Sequence, residues 1–177
     1  DELIMSDTAA PQAAAPQAAV SLPIQIHAQY VKDLSFENPR APASLQPQSE
    51  QPKIEVNVDV QAAKVAENDL YEVTLRINAS GTAASEQLFL VELTYGGLFT
   101  LKGVPEDSLH PVLLIECPRI LFPFARAIVA DVTRDGGFPP LLIQPVDFAA
   151  MYRQSASAGA TATTAAVADG AILPPEA

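Results

Sequence analysis

The chain has 177 residues, room for one domain and little more. Ten basic against 21 acidic side chains give a net charge of −11, which repels nucleic-acid phosphate and anionic lipid and attracts basic protein partners. A single cysteine, Cys117, excludes an internal disulfide framework and suits a reducing compartment.

The sequence begins with residues that have nothing to bury. Met5 reads as a natural start, with Asp1–Ile4 as an artificial addition. From Ser6 to Ser21 the sequence is Ala, Pro and Gln with little else, and residues 1–21 are expected to form a disordered leader. They lack the basic start and apolar core of a signal peptide, and no apolar run is long enough to cross a membrane. The expectation is a soluble, cytoplasmic protein that does not insert into membranes. Residues 155–177, rich in Ala, Thr, Ser and Gly, are expected to be a disordered tail, which leaves residues 22–154 as the folded domain.

Four segments alternate with period two, the mark of half-buried strands. In the first, Ile24, Ile26, Ala28, Tyr30, Leu34 and Phe36 share one face, and Gln25, His27, Gln29, Asp33, Ser35 and Glu37 the other. The second points Ile54, Val56, Val58 and Val60 inward, with Glu55, Asn57 and Asp59 outward. The third sets Tyr71, Val73, Leu75 and Ile77 against Glu72, Thr74, Arg76 and Asn78. The fourth sets Phe89, Val91, Leu93 and Tyr95 against Leu88, Leu90, Glu92 and Thr94. The long, proline-rich connection between the first two strands is of the kind that is functional or covers something. A hairpin loop is expected around Ser80-Gly81, and Gly96-Gly97 permits a bend in or after the fourth strand.

A helical region follows, from about Pro105 to Arg134, where Pro111, Pro118 and Pro123 can each start a turn or kink the helix. Ile120, Phe124, Ala127, Ile128 and Val132 form an apolar stripe. Leu121 and Val129 lie off it, an excess that suggests a second subunit packs there. Gly136-Gly137 is expected to end the helix, and Asp147 to cap a short one beginning at Phe148. The resulting fold class is α+β: a four-stranded antiparallel sheet with a long helix and a short C-terminal helix on one face.

Catalytic chemistry has few residues to use. His27 reads as a solvated side chain, His110 as a helix-start residue and Cys117 as a small buried hydrophobe. No metal-ligand spacing, P-loop or dinucleotide fingerprint is present, so no catalytic residue, metal or cofactor is assigned. The unusual feature is the outer face of the fourth strand, where Leu88 and Leu90 accompany Glu92. Scattered surface apolar residues would explain it. A protein-docking face, apolar at its centre and acidic around it, would explain it too. Asp33 and Glu37 extend that surface if the first and fourth strands present them on one side.

The runs YVKDLSFENPRAP, YEVTLRI, LFLVELTYGGLF and PRILFPFARAIVADVTRDGGFPPLLIQPVDFAAMY resemble the bacterial protein-export chaperone family SecB, over about Ile24 to Gln154. The Ala/Pro/Gln leader resembles alphaproteobacterial members. The resemblance implies a homotetramer, a dimer of dimers with sheets outside and long helices between. It implies binding of unfolded preproteins and their delivery to the motor ATPase SecA, without catalysis or nucleotide. It places SecA contacts at Asp33, Glu37, Leu90 and Glu92, any zinc belonging to SecA. The implied client groove uses Phe36, Leu45, Val58, Val60, Phe138, Leu141, Ile143, Phe148, Met151 and Tyr152. The chain departs from better-known members in having no tryptophan, offering Leu45 and a polar QPQSEQP stretch where they carry loop aromatics. Val91 stands where they have an interface cysteine, so redox effects on assembly at that site should be absent. The alternatives are an acidic adaptor or scaffold that binds one folded partner through the strand-four face, a small-ligand carrier, and an enzyme.

Overall fold

The computed structural model describes residues 24–66 and 69–157; the expected leader, and the expected tail beyond residue 157, lie outside them. Four long strands, β1 (Ile24–Glu37), β2 (Lys53–Ala66), β3 (Leu70–Ala83) and β4 (Glu86–Leu101), form one antiparallel sheet in the order β1-β4-β3-β2. A helical run then crosses one face: α1 (Glu106–Pro111), a π-helical stretch (Val112–Glu116) and α2 (Cys117–Asp135). A last helix, α3, spans residues 148–157.

The alternation of β3 and β4 holds. Tyr71, Val73, Leu75, Ile77, Phe89, Val91, Leu93 and Tyr95 are all buried beneath the helices. On α2 the buried residues are Cys117, Pro118, Leu121, Phe122, Ala125, Val129 and Thr133. This reverses the expected helix faces, because Leu121 and Val129 are the residues that meet the sheet. The stripe through Ile120 and Ile128 lies at the margin, and Phe124 is 51 % exposed. The stripe through Ile120, Phe124 and Ile128 looked like the core side, yet Leu121, Phe122, Ala125 and Val129 are the side chains that lie against the sheet. Gly97 lies beneath Leu121, whose Cδ2 would be 2.8 Å from an added Cβ.

β1 departs from its simple alternation. Its register against β4 shifts between Ile26 and Ala28 and again between Val31 and Asp33, leaving His27 and Lys32 as the extra residues of two bulges. Each one-residue bulge exchanges the two faces. Between them, Ala28 and Tyr30 turn to the outer face opposite Leu98 and Gly96, and Gln29 turns inward opposite Gly97. The second bulge restores the phase, so Leu34 and Phe36 face inward as expected. An alternation count cannot register two compensating insertions.

The glycines expected to bend the chain serve packing instead. β3 continues through Ser80-Gly81, and the turn falls at Ala84-Ser85, where φ is 49° and 66°. Both central residues are left-handed, as a two-residue hairpin requires. Gly81 makes room for the Phe89 ring, 2.5 Å from an added Cβ, and Gly96 makes room for Tyr30. Leu88, expected to be an outer-face residue, falls at the register shift between Gly81 and Thr82, and only 2 % of its surface is exposed.

The prolines do not break the helical run. Cys117 N–H reaches back five residues to the Val112 carbonyl, a widened turn just before Pro118, whose ring would crowd a regular helix. The glycine stop behaves as expected. Phe138 N–H bonds the Thr133 carbonyl at 3.1 Å and Gly137 N–H that of Arg134 at 3.0 Å, with Gly137 at φ 89°. This is the paired closure a left-handed residue makes at a helix end.

Candidate functional site

The two faces of the sheet carry two different surfaces. On the outer face, cross-strand partners place residues in rows. One row reads Asp33, Thr94, Arg76, Asp59; the next Ser35, Glu92, Asn78, Asn57; the third Glu37, Leu90, Ser80, Glu55. Asp33, Glu37, Leu90 and Glu92 therefore share one side of β1 and β4, the geometry on which a common docking face depends. Asp33, Glu92, Thr94, Asn78 and Arg76 line one shallow depression. Arg76, Asp59 and Glu55 also belong to this face. Their outward alternation was legible in β2 and β3, but nothing in the sequence joined those strands to β4.

Charge on this face is uneven. Lys32 Nζ donates to both Glu72 oxygens at 2.9 Å, and the Tyr30 hydroxyl donates to Oε1 at 2.5 Å. These hydrogen bonds, Tyr30 first, hold the Glu72 carboxyl below its usual range. Burial, followed by Glu72, pushes the Tyr30 phenol up to about 12. Glu72 is thus compensated locally, which leaves the acidic character of the face concentrated toward Asp33, Glu37 and Glu92.

The inner face carries apolar surface beyond the helices. Phe36, Phe89 and Phe138 cluster at the C-terminal end of α2, with ring centroids 6.4 Å apart for Phe36–Phe89 and 5.1 Å for Phe89–Phe138. Leu45 covers this cluster from the β1–β2 loop, its Cδ2 3.0 Å from where a Cβ on Gly137 would stand, and remains 47 % exposed. Phe36 lies so close over Gly136 that any Cβ there would overlap its ring. The loop is held by its own bonds: buried Ser44 donates to Asn38 Oδ1 at 2.6 Å, and Arg40 pairs with Glu86 on β4.

Away from that cluster, β2 extends an apolar line along the sheet edge. Ile54 and Val56 are 41 % and 36 % exposed, and Val58 and Val60 are half-buried. The line leads to a trough lined by Val60, Leu114, Phe148, Met151 and Tyr152. Val60 and Leu114 also line its continuation past His110, Leu113, Tyr71 and Lys64. His110, expected at a helix start, instead lies in the last turn of α1, where its Nδ1 is 3.2 Å from the Tyr152 hydroxyl and ties α1 to α3.

The expected groove residues therefore divide. Phe36, Leu45 and Phe138 meet in the aromatic cluster; Val60, Met151 and Tyr152 meet in the trough; Val58 stands between them on β2. Ile143 and Phe148 are 7 % and 1 % exposed and act mainly as its floor and support, Phe148 packing edge-on against Phe122. Leu141 is fixed through its backbone, its N–H donating to Thr133 Oγ1 at 2.9 Å. Ile54, Val56, Phe89 and Leu114 were not anticipated. The alternation that marked the first two as inward-facing could have found them, since an edge strand has no further neighbour to cover it.

Nothing in this arrangement resembles a reacting centre. Among the described residues, no three His, Cys, Asp or Glu side chains gather as metal ligands, and no helix is long and apolar enough to cross a membrane. Burial pushes the Cys117 thiol up to about 12, far from the thiolate a nucleophile needs. His27, outside the reach of such chemistry, contacts Thr100 Oγ1 at 2.7 Å.

A family model described as "Preprotein translocase subunit SecB" matches residues 17–159. The chain belongs to the SecB family. A protein-export protein SecB from Rhodopseudomonas palustris is 54 % identical over 140 residues, covering 79 % of this chain and 86 % of the relative. One from Nitrobacter winogradskyi is 52 % identical over 140 residues, covering 79 % and 87 %. Among solved structures, a SecB-like chaperone of Mycobacterium tuberculosis, in complex with a peptide from an antitoxin, shares the fold. Its TM-score is 0.57 at 17 % identity, over 70 % of this chain and 90 % of that one. SecB is a family of protein-export chaperones, not of enzymes.

Proposed function

We propose that this SecB chain is a cytoplasmic chaperone that holds unfolded preproteins against its inner apolar surface and passes them to SecA docked on its outer face. The observation that carries the reading is the separation of the two surfaces. The aromatic cluster and the trough open beside the helices, while Asp33, Glu37, Leu90 and Glu92 lie across the sheet from them. Burial of apolar area, at about 25 cal/mol per Å², does not depend on sequence, so one apolar surface serves many clients. A folded protein rarely presents long apolar segments, which gives selectivity for the unfolded state without a sequence code.

The half-exposed stripe at Phe124, with Ile120 and Ile128, supports assembly through α2 into the tetramer that the resemblance implies. The acidic outer face suits a basic partner segment. The test is suppression of aggregation of a refolding preprotein, followed by light scattering, with affinity measured for its unfolded and folded forms. Binding of the unfolded form alone is expected, and equal affinity for the folded form overturns the reading.

A further inference from the structure

On the outer face of the sheet one cation stands apart from the others. Lys32 is bound to Glu72 and Lys53 to Glu55, with 2.9 Å and 2.6 Å between the charged atoms. Arg76 is exposed and, among the described residues, enters no ion pair and no side-chain hydrogen bond. Its neighbours are acidic. Asp59 is directly opposite on β2, Asp33 lies in the same row across Thr94, and Glu92 stands on the diagonal, opposite Asn78. No cation holds any of these carboxylates: Glu92 accepts the Ser35 hydroxyl at 3.5 Å and Asp59 the Gln61 amide at 3.2 Å. Arg76, Asp33 and Glu92 line one shallow depression with Asn78 and Thr94.

A uniformly basic partner does not fit this pattern. Cations brought to Asp33 and Glu92 close over the depression and take water from the Arg76 guanidinium as well. A cation desolvated without an acceptor costs more than exposed ion pairs contribute. Asp33 and Glu92 cannot serve Arg76 once they hold the partner's cations. Asp59 does not line the depression, and one carboxylate can take only two of the five guanidinium N–H groups in a bidentate pair. The remaining donors face the partner.

We propose that the partner docked on the outer face presents an aspartate or glutamate side chain to Arg76, between the basic residues it presents to Asp33 and Glu92. The proposal rests on the outer face being the SecA surface. Asp33 and Arg76 are two strands apart, about 10 Å, and Glu92 and Arg76 about 7–8 Å on the diagonal. An extended segment advances about 3.3 Å per residue, so its acidic residue falls two or three residues from each basic one. Arg76 thereby sets the register of docking. It also rejects uniformly basic segments, which a chain of net charge −11 would otherwise collect.

The experiment measures SecA binding by the parent chain and by its Arg76→Gln, Arg76→Glu and Glu92→Lys variants. Arg76→Gln should weaken binding about tenfold and Arg76→Glu further, as expected when a carboxylate across a docked surface loses its cation. If Arg76 only diluted the acidic face, both changes would tighten binding of a basic partner, so equal or tighter binding overturns the proposal. On the SecA side, each Asp or Glu lying two or three residues from a Lys or Arg is neutralised in turn. One such change should weaken binding to the parent chain and cost nothing further with Arg76→Gln; additivity at every position overturns the proposal too. If Glu92→Lys leaves SecA binding unchanged, the outer-face reading itself fails and the role of Arg76 falls with it.

Discussion

The hydroxyl of Thr133 joins the end of α2 to the extended segment that follows it. It accepts the Leu141 N–H at 2.9 Å while donating to the Val129 carbonyl at 2.9 Å, and the residue is fully buried. One side chain thus sets where the Phe138–Phe148 segment runs, and with it the position of α3 beside the trough. Thr133→Val keeps the shape but leaves the partly buried Leu141 N–H without its acceptor, at a cost of about 1 kcal/mol. Thermal unfolding should show a lowered Tm, and client affinity should fall as the segment loosens. A Tm equal to that of the parent chain would remove Thr133 from this role.

Gly136 and Gly137 act differently although they are adjacent. Gly137 is needed for its φ of 89°, whereas Gly136 is needed because the Phe36 ring lies against its α-carbon. Gly136→Ala should push Phe36 out of its stack with Phe89, costing roughly 1–3 kcal/mol as overpacking does. Urea unfolding checks the stability, and client binding should weaken with it. The companion Phe36→Leu relieves the overlap, so combining it with Gly136→Ala should recover part of the lost stability. Strict additivity of the two changes would contradict the contact.

How far the sequence could be read depended on what each pattern measures. The inward residues of β3 and β4 were legible because both strands are central, and every inner position is covered. β1 misled at Ala28, Gln29 and Tyr30, since two bulges exchange faces and then exchange them back. α2 misled because hydrophobicity alone does not say which of two apolar faces meets the sheet. Leu121, Ala125 and Val129 won that place over Phe124 through close approach at Gly97. The aromatic cluster was half visible, with Phe36 and Phe138 anticipated and Phe89 seen only as core. The bond from Thr133 to Leu141 had no local signature, because its partners are brought together by the helix stop between them.

The Cys117 thiol, pushed up to about 12 by burial and then by Glu116, should not react with thiol reagents at pH 8 in the native protein. A raised folded value means the native state keeps its proton where the unfolded chain, near ~8.5, has begun to lose it. Its contribution to stability is therefore complete below about pH 8.5 and is lost as pH rises toward 12. The Tyr30 phenol, also raised to about 12, acts in the same sense from about pH 10 upward. Labelling by iodoacetamide with and without urea, together with unfolding midpoints from pH 7 to 11, checks both statements. Rapid native labelling at pH 8 would mean that Cys117 is exposed.

Glu92→Lys reverses a charge beside Asp33 and Arg76 on the outer face. Binding to SecA should weaken by about tenfold at low salt, since exposed complementary charges act mainly through steering and are screened as salt rises. Client holding, on the far side of the sheet, should be unchanged. Titrating both partners at two ionic strengths separates these effects. Loss of client holding together with SecA binding would show that the two surfaces are not independent.

Phe124 tests assembly without touching either surface. Its side chain is 51 % exposed and is not among the α2 residues buried against the sheet, so replacing it removes little from the protomer's own core. A second copy packed there would bury the ring, and a buried aromatic commonly dominates such a contact. Phe124→Arg should therefore lower the mass measured by light scattering while leaving the circular dichroism of the folded protomer in place. The substitution would also leave an unpaired cation at the contact, costing several kcal/mol if that contact is dry. A variant of parental mass would mean that the α2 stripe is not where copies meet, and would turn attention to the exposed inner side of β1 at Ile26, Val31 and Leu34.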